Sequence, residues 1–207
     1  MKEERWLQTL REQESLEDVT TLAKTCQRCP LRAGCKQVVV ATGSASARLM
    51  LVGEGPGAEE DHQGEPFVGK AGQLLDRILA AGGFSRQSNV YITNVVKCRP
   101  PQNRVPTEEE RQACLPILRQ QFRILKPTII ILLGATAVQS LLDPQARITK
   151  VRGNWVEKNG VWFMPTFHPA ALLRNEQLKK DVWQDQKQVV FKYRELVDEK
   201  HYSELKL

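Results

Sequence analysis

The feature that most limits what this chain can fold into is a set of short apolar runs separated by helical patterns. RLMLVG (Arg48 to Gly53) reads as a buried strand ending at glycine, NVYITNVV (Asn89 to Val96) as a second strand, and TIIILLG (Thr128 to Gly134) as a third. The third is apolar throughout, as strands covered on both faces of a parallel sheet are. GKAGQLLDRILAAGG predicts a helix, with Leu74, Leu75, Ile78 and Leu79 on one side and Gly82 or Gly83 as its stop. Thr107 to Glu110 is a T-x-x-E capping box that opens another helix, in which Pro116 is expected to cause a kink or a restart. ATAVQSLL reads as a third helix, and NWVEKNGVWFMPT carries an Asn159-Gly160 turn between two strands. This alternation predicts an α/β fold: a three-layer αβα sandwich with a central, mostly parallel four-stranded sheet. In such sheets a site forms beyond the C-terminal strand ends. GEGPG, TNVVKC and TFHPA lie there.

The chain has 207 residues, enough to bury a core without staples, and a single domain is expected over 1–207. Residues 1–25 read as a helical extension, with Trp6, Leu10, Leu16, Val19 and Leu22 as packing positions, and 26–196 as the core. MKEERWLQTL lacks a signal-peptide apolar centre, and the longest clean apolar run, Ile129 to Leu133, is too short to cross a membrane. A cytoplasmic location with reduced thiols is therefore expected. The formal charge of +6, from 30 basic and 24 acidic residues, is compatible with a polyanionic partner without requiring one.

Five cysteines occur, an odd number that argues against a closed disulfide framework. Cys26 and Cys29 form a C-x2-C pair that one tight loop can present to one metal; Cys98 and Cys114 supply a second pair from distant chain. Four thiolates suit zinc or an iron–sulfur cluster, and spacing alone does not choose between them. Cys35 reads as a small apolar residue or a free thiol.

GEGPG is not a G-x-G-x-x-G dinucleotide loop, and Pro56 removes a backbone N–H where a phosphate would want a donor. Its glycines instead allow close approach of a small ligand. Phe67 lies in a loop between glycines, where it serves as a stacking platform or as a plug for the core. Asn94 ends the strand YITN, where its amide is able to read a planar polar ligand or to cap the turn. His168 follows the last strand, with Pro169 fixing its backbone. Arg99, Arg104, Lys150, Arg152 and Arg174 are candidates for phosphate contacts.

Taken in order, CQRCPL, QVV, GEGPGAEEDHQGEPFVGKAGQLLD, YITNVVKCRPPQNRVPT, the later Cys114, LGATA and MPTFHPAALLR resemble the family 4 uracil-DNA glycosylases, the iron–sulfur type of bacteria and archaea. The likeness runs from about Cys26 to Val190. It implies a [4Fe–4S] cluster on Cys26, Cys29, Cys98 and Cys114, within a catalytic core that hydrolyses the N-glycosidic bond of uracil in single- or double-stranded DNA, acting as a monomer and leaving an abasic site. It implies a uracil pocket made by Gly55, Phe67, Asn94, Glu60 and His168. Asn94 pairs with uracil O4 and N3–H, Glu60 is the candidate wall against the thymine methyl, and His168 faces uracil O2. Family 1 enzymes carry an aspartate in GQDPY, where this chain has Gly55; Glu54 is then the nearest acid for handling water. Leu172 or Leu173 would fill the space of the flipped base, with Arg174 near a phosphate. A competing reading is a non-catalytic, metal-stabilised nucleic-acid-binding protein, which would bind without releasing base. An iron–sulfur electron carrier is another, and it would leave the pocket unexplained.

Overall fold

The computed structural model describes residues 2–205; residues 1, 206 and 207 of the expected 1–207 domain lie outside the described residues. In chain order the elements are α1 (Lys2–Glu12), α2 (Leu16–Ala23), α3 (Leu31–Gly34), β1 (Ala41–Gly43), β2 (Leu49–Gly53), α4 (Ala58–Gln63), α5 (Lys70–Ala81) and β3 (Val90–Asn94). They continue with α6 (Glu108–Leu125), β4 (Ile129–Leu133), α7 (Ala135–Leu141), α8 (Ile148–Val151), β5 (Val156–Lys158), β6 (Val161–Thr166), α9 (Pro169–Arg174) and α10 (Lys179–Leu196).

The sheet has six strands, not four, in the order β1-β3-β2-β4-β6-β5. The four inner strands are the expected parallel set, and the two additions are antiparallel edges of three residues each. β1 pairs Ala41 with Thr93 and Gly43 with Tyr91; β5 folds back on β6 through Asn159 and Gly160, both at positive φ. These edges cap an otherwise parallel sheet; β1 is partly exposed and β5 exposed throughout, and both lack the apolar run that marks the inner strands.

Each inner strand sends alternate side chains to two separate cores. Met50, Val52, Tyr91, Ile130 and Leu132 pack with α1, α2 and α6 through Leu10, Leu16, Val19, Leu115 and Leu118. Leu49, Leu51, Ile92, Ile129 and Ile131 pack on the other face with Leu75 and Leu79 of α5 and Val189, Val190 and Tyr193 of α10. Three layers result, and the N-terminal helices share the first core with the sheet. The N-terminal stretch is two helices because Ser15 caps α2, accepting from Asp18 N at 3.0 Å. α6 runs without a break through Pro116. Thr107 and Glu110 cap its start reciprocally, and buried Cys114, Leu115, Ile117, Leu118 and Leu125 hold it against the sheet, so packing outweighs the proline's local penalty.

β2 lies between β3 and β4, so the chain leaves it in one direction and later returns on its other side. That is a topological switch point, where the strand ends leave a crevice. The C-terminal ends of β2, β3, β4 and β6 open into it.

Candidate active site

A cleft of about 1520 Å³ opens over these strand ends. Its walls include Glu54 and Gly55 after β2, Asn94 at the end of β3, Thr136 at the start of α7, and His168 before α9. Phe67 and Glu60 close one side, and Arg104 and Arg174 stand at it too. All six expected pocket and catalytic residues, Glu54, Gly55, Glu60, Phe67, Asn94 and His168, thus line one cavity.

Asn94 is 1% exposed, and its Oδ1 has no hydrogen-bond partner. A buried carbonyl left unpaired costs roughly 1–3 kcal/mol, so its persistence at a cleft marks a place where a ligand donor belongs. Gly53 makes this arrangement possible. A Cβ there would stand 2.4 Å from Asn94 Oδ1 and 2.5 Å from Phe67 Cζ. Absence of a side chain lets the amide and the ring close on the same strand end.

Phe67 has φ 57°, a left-handed conformation that side chains other than glycine rarely adopt. Such a residue carries strain of about 1–3 kcal/mol and persists only where its surroundings hold it. Gly72 does part of this: a Cβ there would lie 1.8 Å from Phe67 O, so helix α5 packs directly on the loop backbone. Glu60 does another part. Its carboxylate accepts from Gly57 N at 3.0 Å, Val68 N at 3.0 Å and Gly69 N at 2.9 Å, tying the start of α4 to the Phe67 loop. Glu60 is therefore a fixed wall.

His168 lies beside Phe67, with ring centroids 5.5 Å apart and planes inclined by 30°. Its Nδ1 accepts from Ala170 N at 3.2 Å, capping α9. An accepting Nδ1 carries no proton, so the neutral ring carries it on Nε2 as a donor. Burial, reinforced by the positive charge of Arg174 and opposed by Glu60, pushes its pKa down from 6.5 to about 4. At neutral pH the ring is an uncharged N–H donor. Glu54 accepts a hydrogen bond from the Thr136 hydroxyl, which fixes the carboxylate at the cleft.

Leu172 departs from expectation. It is 1% exposed and packs with Phe167 and Val182, so it has no face free for DNA. Leu173, 48% exposed, is the leucine of this pair that is free to make contacts outside the protein. Arg152 is bound to Asp181 and Asp185, and Arg104 forms an ion pair with Glu110, so neither guanidinium is a free phosphate donor. Sequence reading missed Thr136, although it lies in the LGATA segment directly after a strand.

Cys26, Cys29, Cys98 and Cys114 line a second cavity of about 330 Å³ between the N-terminal turn, the exit of β3 and α6. All are free thiols. Burial raises the pKa of each, to about 11 for Cys114. Lys97, also missed, is 1% exposed and donates through Nζ to Thr93 Oγ1 and Asn94 O, both at 2.6 Å. Its backbone N–H donates to Cys114 Sγ at 3.3 Å. Arg28 and Arg32 line the same cavity, and none of its lining residues is acidic. An all-sulfur donor set ringed by cations fits a group of thiolate-bound metal. Cys35 is buried beside Cys98, and after burial itself its proximity is the largest cause of the raised Cys98 pKa.

The family model for the uracil DNA glycosylase superfamily matches residues 40–187. The type-4 uracil-DNA glycosylase of Thermotoga maritima is 48% identical over 177 residues, covering 84% of this chain and 92% of that protein. Those of Pyrobaculum aerophilum, at 43% over 178 residues, and Archaeoglobus fulgidus, at 40% over 186 residues, cover 82% and 85% of this chain and 90% and 92% of their own lengths. The chain belongs to the type-4 uracil-DNA glycosylases of this superfamily. No helix among the described residues is long and apolar enough to cross a membrane.

Proposed function

We propose that the protein excises uracil from DNA by hydrolysing its N-glycosidic bond. The observation that carries this reading is the buried, unpartnered Asn94 Oδ1 at a cleft walled by Phe67 and His168. Uracil presents an N3–H donor beside its O4 acceptor. Asn94 Oδ1 accepts the first and Nδ2 donates to the second. Cytosine presents the opposite order and would leave both pairs facing like groups. Thymine adds a methyl, which the fixed Glu60 side of the pocket excludes. The base stacks on Phe67, and Gly55 lines the pocket with backbone.

The target atom is out of reach in a stacked helix, so the nucleotide flips into the cleft. As the bond from N1 to the sugar breaks, its electron pair moves onto uracil and charge develops at O2. His168 Nε2–H is aimed at that charge as an uncharged donor. The sugar becomes cation-like. Glu54, held by Thr136, faces it and accepts the proton of the incoming water, leaving an abasic site and free uracil. Leu173 occupies the space of the flipped base and Arg174 pairs with a phosphate, on single- or double-stranded DNA and with the protein acting as a monomer.

Cys26, Cys29, Cys98 and Cys114 would hold a [4Fe–4S] cluster. All four thiols border one cavity whose lining carries no carboxylate, which supports a thiolate-held group there. Such a cluster supplies a rigid cross-link between the N-terminal segment, the β3 exit and α6.

Anaerobically purified protein with a labelled oligonucleotide carrying one uracil tests the reading. Alkali-sensitive sites are expected in the uracil strand and not in thymine or cytosine controls. Binding to all three strands without base release would favour a non-catalytic nucleic-acid-binding protein instead.

A further inference from the structure

The Phe67 loop has four peptide groups whose partners are all side chains. Val68 N and Gly69 N go to Glu60. Pro66 O and Phe67 O go to one guanidinium: Arg86 donates from Nη1 to Pro66 O at 2.9 Å and from Nη2 to Phe67 O at 2.8 Å. Arg86 lies between α5 and β3 and is not among the residues lining the cleft. Its side chain is nevertheless 9% exposed.

Its remaining donors are also engaged. Nε and Nη2 bond to Asp76 of α5 at 3.0 and 2.8 Å, and Nη1 reaches Glu65 at 3.2 Å. Glu65 in turn accepts from Thr42 on β1 at 2.9 Å. One planar fork thus joins helix α5 to the carbonyls of Pro66 and Phe67, and through Glu65 to an edge strand. A surface ion pair would not need the two carbonyls, and an ordinary turn would not need the arginine.

We propose that Arg86 is a positioning residue for uracil recognition: it holds the Phe67 backbone in its left-handed conformation so that the ring presents its face to the base. The inference rests on the uracil-excision reading. Lysine cannot replace arginine here, because a single ammonium does not span two carbonyls and a carboxylate in one plane.

The test compares the parent with Arg86→Lys and Asp76→Asn, using iron-loaded protein of matched melting temperature and iron content. Three quantities are read: inhibition by free uracil, the single-turnover rate of uracil release, and affinity for DNA carrying an abasic-site analogue. In Arg86→Lys the inhibition constant for uracil is expected to rise, and the single-turnover rate to fall, by about tenfold each. Asp76→Asn, which frees one edge of the fork, shifts both in the same direction by less. Abasic-site affinity stays unchanged, because phosphate contacts lie elsewhere. A general loss of folded protein would lower the active fraction and leave the uracil inhibition constant alone. Arg86→Lys with parental inhibition and rate overturns the inference. If the parent itself releases no uracil, the functional reading fails first, and the two failures are distinct.

Discussion

His168 gives the prediction that draws most directly on the site's physics. Burial holds its pKa at about 4 instead of 6.5. A shift of that size corresponds to a difference of about 3 kcal/mol between the two protonation states at most. A folded value below the unfolded one means that the unfolded chain takes up the proton first. The stability contributed by the neutral ring is therefore fully present above about pH 6.5 and is lost as pH falls toward 4. The same shift keeps the ring an uncharged donor across the working range. Single-turnover uracil release by the parent should then show no inflection from His168 near pH 6.5. His168→Ala removes a donor aimed at developing charge, at a cost of about 3 kcal/mol or about a hundredfold in rate. The ratio of parent to variant rates should stay constant from pH 8 down to about pH 5. Thermal melts recorded in parallel should show the variant losing less stability than the parent between about pH 6.5 and 4. An inflection near pH 6.5 in the parent that vanishes in His168→Ala would refute the reasoning, since it would mean that the ring titrates normally and works as a cation.

Other residues give sharper contrasts. Leu172→Ala should cost about 2–5 kcal/mol of stability because the side chain is buried in a packed cluster, whereas Leu173→Ala should leave the melting temperature unchanged and slow excision from duplex DNA more than from single strands. Glu60→Gln weakens three hydrogen bonds that now reach a charged acceptor, so a lowered melting temperature and weaker inhibition by uracil are expected together. Cys98→Ser and Cys114→Ser should lose absorbance near about 400 nm and bound iron, while Cys35→Ser keeps both, because Cys35 does not line the four-thiol cavity.

The sequence shows some of this plainly and hides the rest for identifiable reasons. The inner strands β2, β3 and β4 are legible because they are buried on both faces, and in LMLVG and IIILL the apolar run is unbroken. β1 is not, since three partly exposed residues in ATG leave nothing periodic to detect. The turn before β6 is visible in Asn159-Gly160, whose left-handed backbone these residue types tolerate best. Asn94 and His168 are found by their places at strand ends. The partners that fix the site are not: Arg86 lies 19 residues from Phe67 in sequence, and Glu60 eight from Val68. Within AALL, one helical turn cannot reveal which leucine faces inward; the packing of Leu172 against Phe167 and Val182 decides it. Lys97 runs against its residue type, being charged and yet enclosed, and only the hydroxyl and carbonyl that receive its ammonium explain its position.

The central claim is that the orphaned Asn94 carbonyl oxygen is the acceptor for uracil N3–H. It is tested most directly by single-turnover excision with the parent and Asn94→Ala, measured beside affinity for abasic-site DNA. A fall in rate of about a hundredfold, corresponding to about 3 kcal/mol, with abasic-site affinity unchanged, is the predicted result. Parental excision rates in a folded, iron-loaded Asn94→Ala protein would contradict the account.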